Sequence, residues 1–249
     1  MKRIWIVGAS SGIGLELLKR WLSDGHRLIA SSRNATLSPS LQELHVQYPN
    51  TLALLDLDAS RDEGINDCVQ SAWETYGGLD TWFYNAGAYE VMHMDAWKSE
   101  SFMKMMQINY MGAVRLMIPL SQKFIQQGYG KWIWNSSLSS YFGLPYGGAY
   151  SAPKAALVNL AESIQPELKA KGINLKIINH GFVKTRLTSK NTFTMPQLME
   201  PAETARAIAD ALEHESGFEI RFPKALSLFL SFVRFLPYGW SLKLTGKAL

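Results

Sequence analysis

Ile4-Trp5-Ile6-Val7-Gly8-Ala9-Ser10-Ser11-Gly12-Ile13-Gly14 is the stretch on which the reading of this chain turns. Its first four residues are apolar, and with Lys2 and Arg3 they read as a short buried strand. The strand runs into glycines spaced G-x-x-x-G-x-G, and a helical pattern follows in which Leu15, Leu17, Leu18, Trp21 and Leu22 are apolar. A strand, a glycine turn and a helix bring backbone N–H groups and a positive helix end to one point, where a pyrophosphate can dock. Glycine suits the turn because it permits unusual backbone angles and a close approach to the ligand. Taken alone, such a motif also reads as a tight turn and nothing more.

Strand-like runs alternate with helical ones along the rest of the chain, at residues 27–31, 51–55, 81–84, 132–135, 175–179 and 218–222. That alternation predicts a Rossmann-like, doubly wound parallel sheet in three α/β/α layers, as a single α/β domain over residues 1–222. A chain of 249 residues, 47% of them hydrophobic, can bury a core of that size. No internal repeat, low-complexity tract or linker interrupts it. Ligands of such sheets bind at the carboxyl ends of the strands.

A second pattern carries chemistry. Tyr150 and Lys154 stand four residues apart in Tyr150-Ser151-Ala152-Pro153-Lys154, and Ser137 lies 13 positions upstream (150 − 137 = 13). Positions i and i+4 share a helix face. There a lysine can stabilise the tyrosine's phenolate and lower its pKa from about 10 toward working pH. Ser137 can hold a substrate oxygen while Tyr150 donates or accepts the proton. The plainer alternative is a Tyr and a Lys that pack and solvate a helix face.

With these two patterns in the right order, the chain resembles the short-chain dehydrogenase/reductase family across nearly all of residues 2–222. Gly8, Gly12 and Gly14 match the family's glycine motif, and Asn85-Ala86-Gly87 its N-A-G motif after the fourth strand. Asn109 matches its helix asparagine, and Ser137, Tyr150 and Lys154 its catalytic serine, tyrosine and lysine. The resemblance implies that Tyr150 is the general acid/base and that Lys154 bonds the nicotinamide ribose while lowering the tyrosine pKa. Ser137 would orient the substrate oxygen, and Asn109 would hold a water that links Lys154 to solvent. A buried structural amide is the other reading of Asn109. The cofactor would lie along Gly8, Ser10, Ser11, Gly12, Ile13 and Gly14, with Asn85, Ala86, Gly87, Tyr150 and Lys154. Val183 would line it, and Thr185 matches the position that bonds the carboxamide. No metal is expected.

NAD-preferring members carry an acid at the end of the second strand, where this chain has Ser32 and Arg33. A guanidinium suits a bidentate phosphate contact, so NADP(H) is expected to be preferred, with NAD(H) still able to bind. Asp56 matches the family position that contacts the adenine amino group, or is a solvated loop aspartate. Two departures stand out. The family's N-N-A-G is Tyr84-Asn85-Ala86-Gly87 here, a change expected to be structural. Its P-G after the sixth strand is His180-Gly181. His180 reads as a structural substitution, beside the alternative of an imidazole that titrates near neutral pH.

The substrate wall is expected from Tyr89, Val91 and Met92, from Leu138, Tyr141, Phe142 and Tyr146, and from the loop 186–199. These residues are apolar, aromatic and methionine-rich, which favours a small hydrophobic ketone, aldehyde or alcohol and an adaptable wall. Beyond them, residues 223–249 form a basic, aromatic, amphipathic tail. No acid follows Glu219, while Arg221, Lys224, Arg234, Lys243 and Lys247 alternate with Leu226, Phe229, Leu230, Phe232, Phe235, Leu236 and Trp240. The tail reads as an interfacial membrane helix, a cap on the substrate pocket, or a subunit contact.

Cys68 is the only cysteine, so no intrachain disulfide is expected, and Lys2 and Arg3 precede too short an apolar run for a signal peptide. A cytoplasmic protein is expected. A net charge of +4, spread along the chain, makes no case for nucleic acid. The resemblance implies a homodimer or homotetramer. Three activities stay open on this scaffold: an NADP(H)-dependent oxidoreductase, a non-catalytic redox sensor or docking protein, and an epimerase or dehydratase, whose familiar examples are longer.

Overall fold

The computed structural model describes residues 1–191, 193–214 and 216–246. Thr192, within the loop 186–199, and the last three residues of the tail, Lys247 among them, lie outside the described residues. The element order is β1 (Arg3–Val7), α1 (Gly12–Ser23), β2 (Arg27–Ser32), α2 (Pro39–Gln47), β3 (Leu52–Asp56), α3 (Ile65–Thr75) and β4 (Thr81–Tyr84). It continues through α4 (Ser99–Met106), α5 (Gly112–Gln127), β5 (Gly130–Asn135), α6 (Gly148–Ala170), β6 (Ile173–His180), α7 (Pro201–His214) and β7 (Glu219–Phe222). Two further helices, α8 (Lys224–Phe235) and α9 (Tyr238–Thr245), close the described chain.

Among the described residues the strands form one parallel sheet in the order β3-β2-β1-β4-β5-β6-β7. This is the expected Rossmann-like fold. Each expected strand is present, with ends shifted by one or two residues. The chain leaves β1 for β2 and β3 on one side, then returns to place β4 on the other. That reversal opens a crevice beyond the carboxyl ends of β1 and β4, where such sheets bind ligands.

Strand alternation explains the layers. Trp5 and Val7, Trp82 and Tyr84, and Trp132 and Trp134 face the side covered by α3, α5 and α6. Ile4 and Ile6, Phe83 and Ile133 face the side covered by α1, α2 and α7. Successive strand residues point to opposite faces, so both faces are apolar and both are roofed. Trp82 stands edge-on to Trp132 with ring centroids 5.1 Å apart. Each buried tryptophan removes about 150–250 Å² from water, a gross stabilisation of roughly 4–6 kcal/mol before entropy.

The glycine turn is held from below. The N–H groups of Gly8 and Ala9 both donate to the Ser31 carbonyl, at 2.8 and 3.1 Å, and the Trp5 indole N–H donates to the Ser31 hydroxyl at 2.9 Å. Gly8 has φ +92°, and a Cβ there would stand 2.6 Å from the Ala86 nitrogen. At Gly14 the reason is closeness, since a Cβ would meet the Gly8 carbonyl oxygen at 2.1 Å and the Asn85 amide nitrogen at 2.7 Å. Gly14→Ala is therefore expected to destabilise the protein by about 1–3 kcal/mol through overpacking against backbone that cannot yield. A urea midpoint equal to wild type would show that α1 can shift away from β1.

Candidate active site

A cavity of about 680 Å³ runs along the crevice. Gly8, Ser10, Ser11, Gly12 and Ile13 line one end together with Ser32 and Arg33, and Asn85, Ala86 and Gly87 line its middle. Ser137, Tyr150, Lys154, His180, Val183 and Thr185 line the side beyond. The crevice thus gathers nearly all the residues singled out in the sequence, from six separate loops and helices.

The first turns of α6 carry Tyr150 and Lys154 on one face. Ser137 follows β5, and its hydroxyl faces that of Tyr150 across the crevice wall closely enough to pull the tyrosine's pKa down. The Ser137 Oγ also accepts the Ser139 N–H at 3.2 Å. The Tyr150 ring packs edge-on against Tyr89, with centroids 4.9 Å apart. Lys154 is buried, and its Nζ donates to the Asn135 carbonyl at 2.7 Å. The Asn135 amide donates to Asn85 Oδ1 at 2.7 Å, and the Asn85 amide to the Gly8 carbonyl at 2.8 Å. A line of side chains therefore ties the lysine to the glycine turn. Asn135 Oδ1 is buried with no protein partner among the described residues, so it offers an acceptor beside the lysine.

The electrostatics correct one expectation. The lysine does not bring the tyrosine toward neutral pH in this state. Burial pushes Tyr150 up to about 12, against a smaller downward pull from the nearby Ser137 hydroxyl. Burial also pulls Lys154 down to about 7, because the ammonium has lost water and gained only a carbonyl. A lysine so easily discharged is a weak tuner.

Asn109 sits in a π-helical turn, Gln107–Met111, between α4 and α5. Its side chain is fully buried and spent on Ala88, accepting the N–H at 2.9 Å and donating to the carbonyl at 2.8 Å. The Tyr84 hydroxyl donates to the Ile108 carbonyl at 2.6 Å and ties β4 to the same turn.

Several expectations fail on geometry. Asp56 does not line the crevice; its carboxylate accepts the Thr36 N–H and hydroxyl at 2.9 and 2.8 Å. Asp58, two residues on, does line it, and is held below its usual range by bonds from Ser60 and the charges of Arg61 and Arg33, which outweigh its burial. Gly14 packs under the turn and does not line the crevice. His180 does not titrate near neutrality, since burial pulls it down to about 4. Its Nδ1 lies 2.7 Å from the Gly181 carbonyl, which can only accept, so the neutral ring carries its proton on Nδ1.

Of the expected substrate wall, Tyr89, Leu138, Tyr146 and part of the loop 186–199 line the cavity, whereas Val91, Met92, Tyr141 and Phe142 do not. Met92 packs with Met105 and Ala149, and the Tyr141 hydroxyl donates to Glu219. No methionine among the described residues lines the cavity. Leu226, Phe229 and Leu230 of α8 and Leu244 of α9 complete the apolar end. A cap on the substrate pocket is one of three readings of this tail in the sequence, which does not say which of its residues face the cavity.

The family described as "short chain dehydrogenase" matches residues 2–195. This chain belongs to that family. An oxidoreductase of Myxococcus xanthus, described as uncharacterized, is 27% identical over 232 residues, 93% of this chain and 91% of its own. A dehydrogenase/reductase SDR family protein 7-like of Drosophila melanogaster is 30% identical over 193 residues, 75% of this chain and 59% of its own. Among solved structures, a short chain dehydrogenase from Burkholderia cenocepacia in complex with NADP has TM-score 0.84 at 19% identity, covering 98% of this chain and 97% of its own. One from Streptomyces avermitilis has TM-score 0.83 at 24% identity, covering 99% and 97%.

In this short chain dehydrogenase the buried lysine generates a stability prediction. Its folded pKa, about 7, lies below the ordinary 10.5. Between these values the unfolded chain binds more protons, so stability rises with pH across that window. The deficit of the wild type relative to Lys154→Met is expected to be full below about pH 7 and to shrink toward pH 10.5, by up to about 1.4 kcal/mol per unit. Urea midpoints of both proteins at about pH 7 and about pH 9.5 read it. A difference that stays constant would mean that Lys154 keeps its charge throughout.

Proposed function

We propose that this short chain dehydrogenase transfers hydride between NADP(H) and the carbonyl/alcohol pair of a small apolar substrate. The observation that carries the reading is the convergence of Ser137, Tyr150 and Lys154 on one wall of the crevice, beside its apolar end.

The crevice fits a dinucleotide. Ser11 makes no side-chain bond to the start of α1, which leaves first-turn N–H groups for a phosphate. Gly8 to Ile13 would hold the pyrophosphate, and Ser32 and Arg33 the 2′-phosphate of the adenosine ribose. Arg33 is exposed, and no acid stands at either position to repel that phosphate. Asp58 takes the adenine-facing place first expected for Asp56. Lys154 and Tyr150 would bond the nicotinamide ribose, and Val183 and Thr185 would flank the ring. When bound, the nicotinamide supplies or accepts the hydride.

The chain's own residues then manage the oxygen and its proton. Ser137 donates to the substrate carbonyl and fixes it beside the Tyr150 hydroxyl. As hydride reaches the carbonyl carbon, the Tyr150 O–H breaks and its proton passes to the substrate oxygen. Tyr150 is protonated at neutral pH and so is poised to donate. A ribose hydroxyl against Lys154 would give the ammonium an acceptor, raise its pKa and restore its hold on the phenolate. Asn109 and the free Asn135 Oδ1 would hold a relay water. The wall of Tyr89, Leu144, Tyr146, Phe193, Leu226 and Leu230 suits an apolar ketone or aldehyde better than a phosphorylated sugar.

Purified protein with NADPH and a panel of apolar ketones, aldehydes and quinones tests the reading. Tyr150→Phe is expected to lower kcat by ~10²–10⁴ with little change in NADPH affinity. Turnover that survives the change would remove Tyr150 as the acid, and tight NADPH binding with no turnover of any compound would favour a binding role. Arg33→Ala is expected to raise KM for NADPH roughly tenfold and leave NADH unaffected. Equal or better efficiency with NADH in the wild type would sink the NADP preference.

A further inference from the structure

The helix α9 turns most of its large side chains outward. Ser241 and Thr245 are 0% and 8% exposed and Leu244 lines the cavity, while Tyr238, Trp240 and Leu242 are 79%, 73% and 60% exposed. Thr245 and Ser241 bond carbonyls of their own helix turn, which satisfies the buried hydroxyls locally. The neighbouring α8 is apolar on two faces. Leu230 and Val233 are buried, yet Leu228, Phe232 and Phe235 repeat at i, i+4 and i+7 along a face open to solvent. A helix apolar on both faces calls for cover on both. The residues outward on this pair are the large ones, and Phe235 is 85% exposed.

Charge selects the cover. Arg221, Lys224, Arg234 and Lys243 are all exposed, and no acid follows Glu219 in the sequence. We propose that α8 and α9 dock on an anionic lipid surface, with Phe232, Phe235 and Trp240 entering the headgroup boundary and the cations meeting phosphates. On α8, Lys224 shares the face of Leu228, Phe232 and Phe235 by helical spacing, and Arg234 flanks it, a mixture of aromatic and basic residues that suits that boundary. The pair lies on the bilayer, since α8 has 12 residues, about 18 Å against a hydrocarbon core of about 30 Å. No helix among the described residues is long and apolar enough to cross a membrane. A second copy is the poorer partner. A two-fold contact through this face would bring the same cations together across the seam. The same helices line the apolar end of the cavity, and Phe229 both lines it and stays 46% exposed. Docking would therefore set the pocket beside the bilayer, where apolar molecules collect.

Sedimentation of the full chain with vesicles tests the proposal without any catalytic readout. Vesicles of phosphatidylcholine with about 30% phosphatidylglycerol should bind it, and added salt should release it. Phosphatidylcholine alone should bind it far less. The variants F232S/F235S/W240S and K224E/R234E/K243E should each lower the partition coefficient about tenfold or more. All six side chains are exposed and none lines the cavity, so circular dichroism should match wild type. If the serine variant fails to fold, the charge-reversed one carries the test. The proposal is overturned by a full chain that stays in the supernatant, by salt-independent binding to both vesicle types, or by folded variants that bind like wild type. A dimer in sedimentation velocity that dissolves in the serine variant would show a second copy on this face, and would overturn it too.

Discussion

Three hydrogen bonds, the first buried and the other two partly so, hold the crevice in shape: Lys154 to the Asn135 carbonyl, the Asn135 amide to Asn85, and the Asn85 amide to the Gly8 carbonyl. They join α6 to the carboxyl ends of β5, β4 and β1, the elements that supply the tyrosine, the nucleotide turn and the floor between them. Away from water, a donor that loses its acceptor pays the full desolvation cost. The line therefore fixes the distance between the glycine turn and the face of α6. Gly8 and Gly14 belong to the same constraint, because side chains there would push Ala86 and the Gly8 carbonyl apart.

The same burial that fixes the lysine also changes its chemistry. Lys154 loses much of its hold on its proton and Tyr150 keeps its own. Tuning of the tyrosine by the lysine is a property of positions i and i+4 only where the ammonium stays charged. Here desolvation wins over proximity. On the proposed reading, the nucleotide serves the acid/base pair as well as carrying hydride, because its ribose would add a second acceptor to the Asn135 carbonyl that Lys154 already bonds.

The C-terminal helices link the far end of the crevice to the outer surface. They place Leu226, Leu230 and Leu244 inward against the cavity and large aromatic side chains outward. Their inner face makes the pocket apolar, which narrows the substrate class more than any single residue near Tyr150. Their outer face stays unpartnered in the isolated chain. A cap on the pocket, one of the readings weighed in the sequence, describes the inner face, and the interfacial helix is what is proposed for the outer one.

Local pattern was enough for the strands, since alternating or continuous apolar runs bounded by turns leave few other structures, and the glycine spacing announced the nucleotide turn. Residue chemistry likewise marked Ser137, Tyr150 and Lys154, which share a crevice as expected. The helices were less legible: Pro119, Pro153 and Pro166 lie inside α5 and α6, where packing against the sheet overrides the local cost of a missing N–H. Assigning Asp56 failed because β3 ends there and Thr36 holds its carboxylate, whereas Asp58 lies past the strand end, where the chain runs along the crevice. Asn109 and His180 kept their places, but their roles depended on partners, Ala88 for one and the Gly181 carbonyl for the other. The sequence alone thus determined which strands exist, in what order along the chain, and which groups could do chemistry. Only the tertiary structure decided which of those groups lose water, and burial, a property of distant neighbours packed together, sets their charge.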